Sequence, residues 1–528
     1  MDAFPLLLLV AGSAAVAGLA RRTPVPVPLP LVAAGLIASY VPGVPDYALD
    51  PDVVLPLVLP PLLHLAALDS SYLGLRANIR PVALLSVGYV LFATAVVGWI
   101  VHLVVPGIPL TAALVLGAVV APPDAVAATA VARRIGLPTR ITTILKGESL
   151  FNDATAITAF KVALAAAVGE GATWAGGLTE FAVAAVGGVG VGLLLMGPLH
   201  WLRTRLREPL LLNTLSLLIP FVAYAAAEKV HASGVLAVVV VALYLGHRSW
   251  QVDFATRLQE AAVWKMVAFI LESSVFALIG LQLRVVLRGL DDYEPGEAAV
   301  YAVVVLAAVI VSRFVWVYPA TYLPILRSPS ESRPPWRYPF VLSWAGMRGV
   351  VSLAVAFSIP VAAHGGERFP DRDLVLFLTF TTVIGTLLLQ GLTLPPLIRR
   401  LGLPGRDVHQ ETLVEAEAQN EASVAAERRL DELLADPRNA LPAPLENRLR
   451  TTLERRRHAV WERLGGVNEV TGESADDTYR RLTREVIATE REVFVRLRDQ
   501  GRIDDEMLRT LLHKLDLEEA AVYREEAE

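Results

Sequence analysis

Most of this chain is too apolar to fold in water. About thirteen apolar runs recur over its first four hundred positions, near 4–20, 25–42, 53–68, 81–104, 109–132, 141–168, 175–201, 210–228, 232–247, 264–283, 297–323, 338–360 and 374–398. A helix of roughly 20 apolar residues crosses a hydrocarbon layer about 30 Å thick. Inside such a layer backbone polar groups must pair within the segment, so the runs predict membrane helices. Composition agrees: 19% of the 528 residues are charged, against about 25% in soluble domains.

The connections test the count. Alternate loops hold Arg21 and Arg22; Arg76 and Arg80; Arg133, Arg134 and Arg140; Arg203, Arg205 and Arg207; Arg248, Arg257 and Lys265; Arg327, Arg333 and Arg337; and Arg399, Arg400 and Arg406. The opposite set holds Lys229, Arg284, Arg288, Arg368 and Arg372. Basic loops stay in the cytoplasm, which places the N-terminus outside and the C-terminus inside the plasma membrane. No basic residue precedes the first run, so it reads as a span and not as a cleaved signal. The chain has no cysteine, which excludes disulfides, thiolate metal sites and cysteine nucleophiles.

After Leu403-Pro404-Gly405 the composition turns to Glu, Arg, Ala and Leu. The expected organisation is a membrane domain over 1–403 and a helical cytoplasmic tail over 404–528. The tail is either a solvated hairpin that supports a dimer or a regulatory element.

Polar residues inside the apolar runs carry the chemistry. Gly147-Glu148-Ser149-Leu150-Phe151-Asn152-Asp153 lies within a spanning segment. On a helix Glu148 and Asn152, and Ser149 and Asp153, are one turn apart, so one face presents oxygen ligands. Each ion exposed to hydrocarbon costs roughly 2.5–3.5 kcal/mol or more, so this face must line protein or water. An ion or proton site is the expectation. In Ala121-Pro122-Pro123-Asp124-Ala125 two prolines stop the helical ladder, and Asp124 sits at the break, as a cap or as part of a pathway.

Ser343-Trp344-Ala345-Gly346-Met347-Arg348-Gly349 sets an arginine between glycines deep in the twelfth run. It stays charged and needs a partner, for which Glu148 is the first candidate and Asp124 the second. Breaks in spans 5 and 12 at matching positions of two halves suggest inverted repeats, six spans on each side of a linker helix. Glu272 either lines an aqueous funnel or pairs structurally. Lys161 reads as a snorkelling residue, His64 and His102 as packed core histidines, and Gly187, Gly188, Gly190 and Gly192 as packing surface. Nucleotide-binding loops, zinc motifs and nucleophile elbows are absent, which argues against ATP-driven transport, membrane enzymes and nucleic-acid partners.

With these residues in view, the sequence resembles the monovalent cation:proton antiporter-1 family, the NhaP-type and Na+/H+-exchanger group. The resemblance covers about residues 1–403. It rests on Gly147–Asp153, the break at Asp124, Met347-Arg348-Gly349 and Phe276-Ala277-Leu278-Ile279-Gly280-Leu281. It implies alternating proton and cation binding at Asp153, with Asn152 as its hydrogen-bonding neighbour and Ser149 as a Na+ ligand. It also implies a structural ion pair between Glu148 and Arg348, a homodimer, and no cofactor. Family members often have Thr-Asp-Pro at the break; here the positions read Pro123-Asp124-Ala125, so one side-chain ligand is missing.

The expected activity is exchange of Na+, Li+ or K+ for protons, serving pH and sodium homeostasis. Asn152, where electrogenic relatives carry a second aspartate, implies an electroneutral cycle. A K+-selective antiporter, an electrogenic antiporter, a cation channel and a non-transporting sensor remain open alternatives.

Overall fold

The structure is a computed structural model that describes residues 3–23, 25–42, 51–124, 137–168, 174–206, 208–290, 293–327, 334–361, 369–402, 408–464, 475–500 and 502–523. All regular structure among them is helical. The chain divides into two units, Met1–Gly405 and Arg406–Glu528.

The first unit holds α1 (Ala3–Ala20), α2 (Pro28–Ser39), α3 (Pro51–Leu68), α4 (Tyr72–Ala77), α5 (Ile79–Val104), α6 (Leu110–Val120), α7 (Thr139–Val168) and α8 (Trp174–Arg205). It continues with α9 (Pro209–Glu228), α10 (Gly234–His247), α11 (Phe254–Arg288), α12 (Pro295–Arg327), α13 (Arg337–Trp344), α14 (Val350–Phe357) and α15 (Arg372–Leu401). Among the described residues α5, α7, α8, α9, α11, α12 and α15 are long and apolar enough to cross a membrane, with shorter apolar helices between them. Large apolar side chains such as Leu7, Val186, Leu194, Leu210 and Val303 point outward, as a hydrocarbon solvent permits.

Three local departures from uniform spans matter for the site. α5 contains a π-helical turn over Leu84–Tyr89, a widened turn that is frequent at functional positions; its last residue, Tyr89, is fully buried. α6 stops at Val120, and Ala121–Asp124 leave the helix where Pro122 and Pro123 cannot continue its hydrogen bonds. The remainder of the expected span 109–132 lies outside the described residues. The expected span 338–360 is two short helices, α13 and α14, with Ala345–Gly349 non-helical between them.

α11 begins at Phe254, ten residues before the apolar run expected at 264. The side chain of Asp253 caps it by accepting the Ala255 N–H at 3.1 Å. The amphipathic first turns, which hydropathy alone reads as loop, stay helical because their polar groups find partners described below.

The two larger apolar clusters of the unit surround the site. The larger draws on α5, α6, α7, α11, α12 and α15 through residues such as Val97, Leu116, Phe160, Ile279, Val309 and Phe380. The second joins α3, α7, α9 and α10 through Leu63, Leu150, Ala223 and Val238. α7 contributes to both, so the helix carrying the acidic motif is enclosed on several sides. α2 and α11 cross at Gly35 and Gly280, each of which leaves no room for a Cβ against the other's backbone. Small residues of this kind allow close helix approach where no hydrophobic force drives association.

The second unit holds α16 (Val408–Leu434), α17 (Ala443–Leu464), α18 (Ala475–Asp499) and α19 (Asp505–Tyr523). α16 and α17 are antiparallel, with Arg450 bonded to Asp431 at 2.8 Å. α18 and α19 pair likewise around Ile487, Leu508 and Leu515, with Arg491 on Asp516 and Glu519.

Candidate functional site

The acidic motif sits in mid-α7, where Glu148, Asn152 and Asp153 are all buried, at 1%, 0% and 8% exposure. Ser149 is partly buried one turn before Asp153 on the same face. The charge acting on Asp153 is that of Asp124, so the two carboxylates share one locus.

The two interruptions meet there. The Asp124 N–H donates to the Met347 carbonyl at 2.6 Å. A Cβ on Gly349 would overlap the Asp124 carboxylate, so the glycine is what lets the two broken segments approach. Asn152 closes the third side: its Nδ2 donates to the Pro123 carbonyl at 2.6 Å. Its Oδ1 is buried without a hydrogen-bond partner among the described residues, an acceptor next to the two aspartates.

Arg348 does not make the expected ion pair with Glu148. Its Nε donates to the Val120 carbonyl at 2.9 Å, and Nη2 donates to Tyr89 Oη at 2.7 Å and to the Ala121 carbonyl at 3.3 Å. Nη1 donates to the Gly346 carbonyl, and the backbone N–H to Thr386 Oγ1 at 3.1 Å. The reason is the break itself. Where α6 stops, its last carbonyls lose their intrahelical partners and carry the negative end of the helix dipole. A guanidinium offers five fixed donors, enough to satisfy several carbonyls at once.

Glu148 is paired instead with Arg313 of α12, through Oε1–Nη1 at 2.5 Å and Oε2–Nη2 at 2.7 Å. Arg313 also donates to the Leu342 carbonyl at 3.2 Å and lies over the Tyr89 ring. Tyr89 thus touches both arginines. Sequence reasoning missed Arg313 and Tyr89, although Ile310-Val311-Ser312-Arg313-Phe314 shows a charge in mid-span that should have raised the question. Glu272 is half-buried on α11, with Asp124 and Arg21 as its electrostatic neighbours. Lys161 lies 3.8 Å from Glu228 at an exposed position, outside the cluster.

Charge accounting gives the site its chemistry. Glu148 and Arg313 cancel, while Asp153 and Asp124 face each other as like charges. Asp153 is buried beside a second carboxylate, where a charged group is costly. A proton or a monovalent cation on a carboxylate removes that cost. Two interrupted helices meeting beside a buried carboxylate are the arrangement of a secondary transporter's ion site.

The chain belongs to the sodium/hydrogen exchanger family: the family described as "Sodium/hydrogen exchanger, transmembrane" matches residues 8–400. It is 35% identical to an uncharacterized Na+/H+ exchanger of Mycobacterium tuberculosis, over 98% of this chain and 96% of the relative. It is 32% identical to a sodium, potassium, lithium and rubidium/H+ antiporter of Bacillus pumilus, over 70% of this chain and 57% of the relative. Its fold is similar to that of the sodium proton antiporter MjNhaP1 of Methanocaldococcus jannaschii, with TM-score 0.62 and 21% identity over 75% of this chain and 97% of the other. The protein is a cation/proton antiporter of multi-pass helical architecture.

Proposed function

We propose that the protein exchanges Na+ for protons across the plasma membrane by competition at Asp153. The observation that carries this reading is the buried Asp153 carboxylate facing the like charge of Asp124, where the two breaks meet. A proton and a dehydrated cation cannot both neutralise it, and only a neutralised site can be moved through the membrane interior. Asp153 takes the proton or the cation; Asn152 Oδ1, Ser149 and water complete an oxygen shell suited to a hard cation. Asp124 raises the negative potential of the site. Arg348 and the Glu148–Arg313 pair hold the broken helices in register and bind no substrate. Glu272 lines the approach.

One cation exchanged for one proton at a single carboxylate makes the cycle electroneutral, and the neutral Asn152 supports that stoichiometry. Such exchange serves pH and sodium homeostasis. The Bacillus pumilus relative, named for four alkali cations, favours Li+ and K+ as further substrates. A homodimer with its C-terminal tail in the cytoplasm is the working assembly. The test uses purified protein in proteoliposomes containing a pH dye, with Na+, Li+ and K+ added separately, with and without valinomycin. Cation-driven proton movement insensitive to voltage is expected; voltage-dependent rates refute electroneutrality, and no coupled proton movement refutes antiport.

A further inference from the structure

Away from the cation site, polar groups from four helices converge near the ends of α8, α9 and α11 that carry the basic connections. Arg203 of α8 donates from Nη2 to Glu260 Oε2 of α11 at 2.9 Å. Ser216 of α9 donates to Glu260 Oε1 at 2.5 Å and accepts from Trp264 Nε1 of α11 at 3.0 Å. The Trp264 ring lies 4.9 Å from the imidazole of His64 on α3. Asn213 of α9 donates to Gln259 of α11 at 3.0 Å.

The network is incomplete in a specific way. Both ring nitrogens of His64, Arg203 Nη1, Thr256 Oγ1 and Asn213 Oδ1 are buried and have no hydrogen-bond partner among the described residues. His64 is 0% exposed, Thr256 1% and Arg203 5%. Thr256 is one turn before Glu260 on α11, so it belongs to the same cluster. Buried polar atoms are nearly always paired, by protein or by ordered water. Here the orphans include both donors (Arg203, Thr256, one imidazole nitrogen) and acceptors (Asn213, the other nitrogen).

We propose that this cluster of His64, Arg203, Asn213 and Thr256 is a built hydration site holding bound water. The chemistry selects water over an ion or an apolar group: the Arg203–Glu260 pair leaves no net charge to hold an ion, and an apolar group would satisfy no orphan. Water donates and accepts at once and needs two to four polar partners, which the cluster supplies. The site is a wet joint between α8 and the α3–α9–α11 group. No member belongs to the Asp153 cluster, so this proposal stands or falls independently of the transport reading.

The experiment is X-ray radiolytic footprinting of the full chain in detergent, read by mass spectrometry. Radicals formed from bound water oxidise adjacent side chains that bulk solvent cannot reach. Trp264, 2% exposed, should be oxidised well above Phe380, which is 0% exposed and packs on Phe357, after correction for intrinsic reactivity. Labelling of Trp264 no greater than that of Phe380 overturns the proposal. The Thr256→Val variant gives a second reading. If water bonds the hydroxyl, the variant lowers the unfolding temperature. If the site is dry, removing an orphan hydroxyl leaves that temperature unchanged or raises it, and the proposal fails.

Discussion

Replacing Arg313 by methionine, which keeps much of the side-chain volume, should be among the most damaging single changes outside the ion site. The structure sets the magnitude. Two charge-assisted hydrogen bonds join the pair at 2.5 and 2.7 Å, and the side chains are 0% and 2% exposed. Solvent screening therefore discounts nothing. Hydrogen bonds to charged groups contribute about 1.5–3 kcal/mol each, and removing one partner of a buried pair costs about 3–5 kcal/mol because the other charge is stranded. Arg313→Met should fall in that range, and Glu148→Leu alone should strand Arg313 at similar cost. The double variant should recover much of the loss, giving a coupling of about 2–3 kcal/mol. Arg348 bonds carbonyls and Tyr89, so the cycle between Glu148→Leu and Arg348→Met should give a much smaller coupling. The assay is reversible unfolding in detergent, or thermal stability where unfolding is irreversible. A larger coupling of Glu148 to Arg348 than to Arg313 would refute the assignment.

Three further outcomes are expected. Asp153→Asn should abolish cation-driven proton movement while leaving the elution profile and stability near those of the parent; transport at the parental rate would place the carboxylate elsewhere. Gly349→Ala forces a Cβ into the Asp124 carboxylate, and displacing a binding group by about 1 Å costs on the order of a hundredfold in rate; unimpaired exchange would mean that the two breaks need not touch. Because a proton and a cation compete for one group, acidification should weaken apparent Na+ affinity by up to about tenfold per pH unit through linkage. The maximal rate at saturating Na+ should hold; an apparent affinity independent of pH would exclude competition.

Much of the architecture was legible in the chain. Apolar run length and the prolines at 122 and 123 are local properties, and each acts on backbone hydrogen bonding within a few residues. The acidic face of α7 was equally readable, since helical spacing alone puts Ser149 and Asp153 one turn apart. The start of α11 was not, because hydropathy scores Arg257 and Glu260 as loop while Asp253, Arg203 and Ser216 supply partners that keep those turns helical.

Which arginine meets Glu148 could be settled only in three dimensions. Residues 148, 313 and 348 stand on separate helices, and the spacing within one helix carries no information about the approach of another. Burial demanded that Glu148 and Arg348 each find a counterpart, and that demand was correct. It did not distinguish a carboxylate from a set of carbonyls as the counterpart for Arg348. The end of α6 decided the matter, because a helix interrupted in mid-membrane exposes carbonyls that compete for a guanidinium. The sequence by itself determined that charges lie buried and helices are broken; the tertiary structure decided which charge answers which break.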